Sequence, residues 1–121
     1  MESIESRLRE LERTIEYLKY RVELLASIAD SEHHPFIFTV LESNLTEHQV
    51  IAIYDLMDEA SKTIREGKPM GHHQFEQRIY EIVPSHRGDY HFAESIVDTL
   101  NDEQRWEEVY QHMKKDGMNL K

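Results

Sequence analysis

Histidine and carboxylate side chains are the residues of this chain whose spacing is closest to that of a metal site. His72 and Glu76 are four residues apart, so on a helix they would share one face and could chelate a metal ion. His86 and His91 follow soon after in the sequence and could add ligands. However, His72 also lies three residues before Phe75, at the edge of an apolar face where a partly buried histidine needs no metal. A metal-binding protein using this His/Glu cluster is therefore an alternative, and we expect no cofactor.

Other kinds of reactive site find little support in the composition. The chain has no cysteine, which excludes disulfides, thiol nucleophiles and Cys-ligated zinc. Its four glycines are scattered singly and cannot form a phosphate-binding loop. Asp55, Asp58 and Glu59 could imitate an acidic site, but they are better explained as the solvated face of one helix. We therefore expect that the protein is not an enzyme.

The charge of the chain argues against nucleic acid as a partner. The formal net charge is −10, and residues 30–60 contain seven acidic residues but no Lys or Arg. Binding to phosphate backbones normally requires clustered basic side chains. We interpret the acidic segment as a solvated face. The alternative is an acidic nucleic-acid mimic that sequesters a basic regulator through residues 30–60.

The sequence also predicts where the protein resides. Glu2, Glu5 and Arg7 interrupt any early apolar run, so we expect no signal peptide. No apolar stretch approaches the length that is needed to span a membrane. We therefore expect a cytoplasmic protein that has no membrane partner.

The strongest pattern in the chain is a heptad repeat near its beginning. Seven apolar residues, which we call the seam, follow one another at alternating steps of four and three: Ile4, Leu8, Leu11, Ile15, Leu18, Val22 and Leu25. This alternation is typical of a coiled coil, with Leu8, Ile15 and Val22 at a positions and the others at d. We predict that residues 1–29 form a coiled-coil oligomerisation helix, and that residues 30–121 form a helical bundle that is one structural unit with this helix.

A second apolar stripe follows in the later part of the same helix. Tyr17, Tyr20, Leu24 and Ile28 lie on the side opposite the seam. We interpret the helix as meeting other copies along the seam and its own domain along the second stripe. The alternative is a first helix that packs entirely within its own bundle.

The residues beside the seam bear on the number of copies. Arg7 to Glu12 resembles the motif of short trimeric coiled coils in which an Arg at g and a Glu at e flank two apolar residues. There the Arg pairs with the Glu of a neighbouring chain. Ile15 and Val22 at a positions, with leucine at d, would also suit a dimer. We favour a homotrimer over a dimer.

The remaining residues predict about five shorter helices. Pro35 suits the first turn of a new helix, and the apolar run after it predicts a short buried helix that ends near Asn44. Thr46 and Gln49 have the form of a capping box at the start of the third helix, which extends to about Glu66. We expect helix four to extend from about His72 to Val83, and Asp89 to be the N-cap of helix five. Asn101-Asp102 is the expected cap of helix six, which ends at Gly117.

Several short segments together resemble a known family. They are the coiled-coil start, His34-Pro35-Phe36, Asn44-Leu45-Thr46, Phe75-Glu76 and a last helix with Trp106 and Tyr110. In these segments the chain resembles the YhaI-like proteins, small uncharacterised proteins of Bacillus-type bacteria with a domain of unknown function. The resemblance covers nearly the full chain and implies a multihelical fold whose long first helix assembles subunits, as a trimer. It implies no catalytic or ligand-binding residue.

These patterns predict an all-α protein with a long N-terminal coiled-coil helix and a compact multihelical bundle. We expect a homo-oligomer that acts through protein–protein interaction, as an adaptor or a regulatory protein, on a protein partner that the sequence does not name.

Overall fold

The structure is a computed structural model that describes residues 3–29 and 32–121. Within these residues it is helical and contains no β-strand, so the predicted all-α fold is confirmed. The α-helices are α1 (Ile4–Ser27), α2 (Pro35–Glu42), α3 (Glu47–Arg65), α4 (His72–Ile82), α5 (Tyr90–Asp102) and α6 (Glu107–Lys115). A short 3₁₀ helix, Pro84–His86, joins α4 to α5.

The chain divides into two compact units, Met1–Asp30 and Ser31–Lys121. The first unit contains α1. Ser3 caps this helix, since its hydroxyl accepts a hydrogen bond from the backbone N–H of Ser6 at 3.0 Å. No residue of α1 is buried within the chain.

The second unit is a bundle built around one hydrophobic core. α3 packs against α4 and α6, and α5 packs against α2, α4 and α6. Each helix contributes apolar side chains at helical spacing to the centre of the bundle. The largest fully buried side chains are Phe36, Phe75, Ile53, Leu56, Met57, Ile79, Ile96, Leu100, Met113, Val83, Val97 and Val109.

Two of the predicted helix starts are confirmed in atomic detail. The Thr46 hydroxyl accepts from the Gln49 backbone N–H at 3.2 Å, and the Gln49 side chain accepts from the Thr46 N–H at 2.9 Å. This reciprocal pair is the capping box that was expected at the start of α3. Asp89 caps α5, since its carboxylate accepts from the Phe92 N–H at 3.2 Å.

The predicted start of the last helix is wrong. Asn101 and Asp102 are the final residues of α5, and α6 begins only at Glu107. The residue before α6 is Trp106, which adopts a left-handed backbone conformation with φ 52°. Its indole N–H donates to Asp58 of α3 at 2.9 Å. This tertiary contact holds a backbone conformation that a bulky residue rarely adopts, and it decides where α6 begins.

The start of α2 depends on a residue far away in the sequence. His34 occupies the N-cap position but makes no side-chain capping hydrogen bond. Instead, the backbone N–H of Phe36 donates to the carboxylate of Glu103, just after α5, at 2.7 Å. Glu103 thus supplies from another helix the acceptor that an N-cap side chain would supply locally. α2 ends at Glu42, slightly before the expected end near Asn44.

Candidate functional site

The seam of α1 is a row of large apolar side chains that are exposed in the structure. All seven of its side chains are exposed, from 51% for Leu8, Leu18 and Val22 to 77% for Ile4. They extend along a helix of 24 residues, which corresponds to about 36 Å. A contiguous exposed apolar stripe of this length is typical of an interaction surface.

The second stripe of α1 is exposed as well. Tyr17, Tyr20, Leu24 and Ile28 range from 48% to 79% exposed. The guanidinium carbon of Arg21 lies 5.6 Å from the centre of the Tyr17 ring, so this side of the helix has a cation–π contact of its own. Contact between this stripe and the rest of the chain stays a prediction.

Arg7 and Glu12 are both exposed on α1, at the g and e positions that flank Leu8 and Leu11. In a parallel assembly, a g side chain of one helix lies next to the e side chain of the following heptad in its neighbour. Their positions are therefore compatible with the predicted pair between chains, which itself stays a prediction.

His72, the first of the four proposed metal ligands, is hydrogen-bonded to Asp116, and both residues belong to the second unit. The Asp116 carboxylate lies 2.8 Å from His72 Nδ1 and accepts from the His72 backbone N–H at 2.7 Å. The backbone hydrogen bond and then the side-chain hydrogen bond hold the pKa of Asp116 below its usual value. Asp116 follows α6 directly, so this contact joins the end of α6 to the start of α4.

The other three proposed ligands each face a different group. A carboxylate oxygen of Glu76 lies 3.8 Å from His73 Nδ1. His86 faces Asp89 at 3.3 Å and stacks on the Phe92 ring with 4.0 Å between ring centres. His91 faces the carboxylate of Glu94 at 3.5 Å.

These contacts do not bring the four residues together as the metal cluster that the sequence offered as an alternative. His72 and Glu76 line one cavity, whereas His86 and His91 do not line it. In residues 3–29 and 32–121, no group of three or more histidine or carboxylate side chains is arranged to hold a metal ion. The four side chains do not converge because each pairs with a different group. Glu76, His86 and His91 pair with histidine or carboxylate side chains close in sequence, and His72 pairs with Asp116.

Most of the chain matches one protein family. The model of the family described as "Protein of unknown function (DUF1878)" matches residues 9–116. The chain belongs to this family. The match includes α2 to α6 and most of α1, from Leu11 to Leu25 of the seam, whereas Arg7 and Leu8 precede it. No curated protein and no solved structure matches the chain.

The acidic segment of this DUF1878 protein is partly engaged within its own bundle. Asp30 lies outside the described residues, and the other six acids of residues 30–60 are exposed. Of these, Asp58 accepts from the Trp106 indole, and Glu59 forms a two-point pair with Arg78 at 3.1 and 2.7 Å. The hydrogen bond from Arg78 lowers the pKa of Glu59. Both acids are therefore already paired with groups of the bundle itself, which weakens the interpretation of this segment as a nucleic-acid mimic.

None of the helices in the described part of the chain has the length and apolar character that crossing a membrane requires. The most apolar helix, α2, has only eight residues. A helix of this length spans about 12 Å, well short of the hydrocarbon core of a bilayer.

Sequence reasoning missed two residues that the structure brings to the cavity beside His72 and Glu76. Tyr80 of α4 and Glu94 of α5 both line it. Tyr80 is one helical turn after Glu76, a spacing that could have placed the two on one face. No spacing in the sequence places Glu94 at this cavity, because its position there depends on how α5 packs against α4.

Proposed function

We propose that this protein assembles into a homo-oligomer through the seam of α1 and acts through protein–protein contacts, as an adaptor or a regulatory protein. The observation that carries the proposal is the exposure of all seven seam residues at heptad spacing. The proposal includes no catalytic role. It gives the two units of the chain different tasks, since α1 joins copies and the bundle presents a surface to partners.

Burial of the seam supplies the driving force for assembly. Transfer of a fully exposed leucine or isoleucine side chain out of water contributes about 1.5–3 kcal/mol. Because the seam residues are exposed by half or more, each would contribute roughly 1–2 kcal/mol per chain on assembly. Seven such layers give about 7–14 kcal/mol per chain, the same order as the cost of association, about 4–15 kcal/mol.

We favour a parallel trimer, with a dimer as the alternative. The support is the order of residues beside the seam, with Arg7 at g and Glu12 at e of the next heptad. In this arrangement the Arg7 stem covers the Leu8 and Leu11 layers, and its guanidinium pairs with Glu12 of the adjacent helix. Ile15 and Val22 at a positions are compatible with two chains.

We also propose a closer relationship than membership of the DUF1878 family. The segments His34-Pro35-Phe36 and Asn44-Leu45-Thr46 support a link with the YhaI-like proteins of Bacillus-type bacteria. The proposal includes a cytoplasmic location, which a fluorescent fusion imaged in such a cell would test.

The substitution Leu11→Lys tests the assembly. Leu11 is 58% exposed at a central d position, so the variant would bring like charges together at one layer of the shared core. We expect sedimentation velocity to give the mass of a single chain for this variant. The contribution of α2 to α6 to the circular dichroism of the chain should persist, because the hydrophobic core of the second unit is formed by residues 36–120.

Glu16→Gln is the matched control for this experiment. It changes the net charge of the chain by the same amount as Leu11→Lys, but at a b position outside the seam. We expect the control to keep the mass of the wild-type protein. If Leu11→Lys also keeps it, copies of the chain meet through another surface, and the proposal is wrong.

A further inference from the structure

Helix α2 of the second unit has two apolar sides. Phe36 is fully buried and Val40 packs against the core, so these two side chains mark the inner side of the helix. Successive residues of a helix are rotated by about 100°, which places Ile37, Phe38 and Leu41 together on a second side, which we call the outer face. Ile37 is 46% exposed, and Phe38 and Leu41 are partly buried without packing against the core in the described part of the chain. The core therefore leaves the outer face available to another apolar surface.

The helix that presents the outer face is fixed to the bundle. The backbone N–H of Phe36 donates to the Glu103 carboxylate at 2.7 Å, and the Phe36 ring lies 5.6 Å from the Tyr54 ring between centres. α2 also packs along α5. An apolar face on a fixed helix loses little conformational freedom when it is covered, which favours its use in binding.

The charge at the end of this helix is negative and uncompensated. Glu42 is the last residue of α2 and Glu47 is the first of α3, and both are exposed. The Leu45 backbone N–H donates to the Val40 carbonyl at 3.1 Å, so the loop between the helices folds back on α2. Neither carboxylate makes an ion pair or a side-chain hydrogen bond within the described residues, and residues 30–60 contain no Lys or Arg. A partner of positive charge would therefore find carboxylates that have no other counter-ion.

We propose that the outer face of α2 binds the apolar side of an amphipathic helix in a partner protein, and that lysine or arginine side chains flank this apolar side. The proposal rests on the proposed function, in which the bundle presents a surface to partners. Apolar side chains of the partner cover the outer face, and its basic side chains pair with Glu42 and Glu47. The eight residues of α2 extend over about 12 Å, which two turns of a partner helix match.

Charge distinguishes this partner from two other occupants of the outer face. A membrane surface that contains anionic lipids would be repelled by Glu42 and Glu47. A second copy, related by a two-fold axis, would bring the same acidic patch against itself. Only the basic helix gains from both the apolar side chains and the carboxylates.

The probe is a fluorescein-labelled peptide of about 14 residues, roughly four helical turns, made of leucine at helical spacing and lysine elsewhere. Its counterpart keeps the leucines and has glutamate in place of every lysine. In fluorescence anisotropy with the full chain at physiological salt, we expect the lysine peptide to bind with a dissociation constant of about 100 μM or lower. The glutamate peptide should bind at least about tenfold more weakly. Equal affinity for the two peptides, or no binding of the lysine peptide, would overturn the proposal.

Ile37→Ser and Ile51→Ser test whether the peptide binds at the outer face. The two isoleucines are exposed to nearly the same degree, 46% and 48%, but Ile51 belongs to α3. We expect Ile37→Ser to weaken binding of the lysine peptide by about tenfold, because it removes an apolar side chain from the outer face. Ile51→Ser should leave the affinity nearly unchanged. Equal weakening by both variants, or none by Ile37→Ser, would overturn the outer face as the site.

A pair of double variants separates the two carboxylates from the general acidity of the chain. Glu42→Gln with Glu47→Gln removes two charges beside the outer face, whereas Glu81→Gln with Glu107→Gln removes two exposed charges from α4 and α6. We expect the first pair to weaken binding of the lysine peptide several-fold and the second to change it little. Equal weakening by the two pairs would mean that net charge alone attracts the peptide, and the proposal would be wrong.

Two measurements on Ile37→Ser examine the other occupants. In sedimentation velocity this variant should keep the mass of the wild-type protein, and a smaller mass would mean that a second copy covers the outer face. Neither protein should sediment with phosphatidylcholine vesicles. Vesicle binding by the wild type that Ile37→Ser abolishes would assign the outer face to a lipid surface instead. Either result would overturn the proposal.

Leu11→Lys separates this proposal from assembly through the seam. The outer face belongs to the second unit, so we expect Leu11→Lys to bind the lysine peptide with the wild-type affinity per chain. Loss of peptide binding in Leu11→Lys would contradict the outer face as the site. Peptide binding by a wild-type protein with the mass of a single chain would contradict the seam and support the outer face.

Discussion

Replacement of Glu103 tests the contact that attaches α2 to the bundle. The Glu103 carboxylate accepts from the backbone N–H of Phe36 at 2.7 Å, and Phe36 is fully buried. Glu103→Ala would leave this donor without a partner and without access to water. Loss of an N-cap acceptor costs about 0.5–2 kcal/mol, and an unsatisfied buried donor costs about 1–3 kcal/mol. We expect a loss of about 2 kcal/mol, or roughly 8–16 °C in melting temperature for a domain of this size.

Thermal and urea unfolding followed by circular dichroism would measure this loss. Glu103→Gln should lose less, because its amide oxygen still accepts from Phe36 but carries no charge. The neighbouring substitution Asp102→Asn removes a charge at the exposed end of α5 and should change stability little. A stability of Glu103→Ala within 0.5 kcal/mol of wild type, roughly the effect of an ordinary surface substitution, would refute the assignment of Glu103 as the cap of α2.

Two further predictions concern charged groups. Arg7→Ala or Glu12→Ala should shift the oligomer toward fewer copies without unfolding it, since an exposed pair contributes about 0–1 kcal/mol. Sedimentation equilibrium would measure the shift. An unchanged mass at all concentrations would contradict the predicted pair. The pKa of Asp116 is lowered from 3.8 by hydrogen bonds from His72, so its carboxylate stabilises the fold above the unfolded-state pKa and loses this effect as the pH falls through the folded pKa. Asp116→Asn should therefore reduce the acid-side decline in melting temperature, and identical pH profiles for the two proteins would contradict this role.

Local sequence signals predicted the parts of the fold that depend on neighbouring residues. Thr46 and Gln49 form the expected capping box because both partners lie within one helical turn. Asp89 caps α5 for the same reason. The apolar positions Ile53, Met57 and Ala60 of α3 are buried as their helical spacing predicts.

Features that depend on contact between distant residues were not predictable in this way. Trp106 holds the start of α6 through Asp58, and Glu103 caps α2, although the members of these pairs are 48 and 67 residues apart. His72 illustrates the same limit at the candidate metal site, because its partner is Asp116, 44 residues away. The sequence pattern near each residue contains no information about such partners.

The mass of the wild-type protein in solution is the most direct test of assembly through α1. Size-exclusion chromatography with light scattering at tens of micromolar chain should give three times the mass of one chain. Twice that mass would contradict the trimer but retain the seam as the interface. The mass of a single chain would contradict assembly through the seam itself.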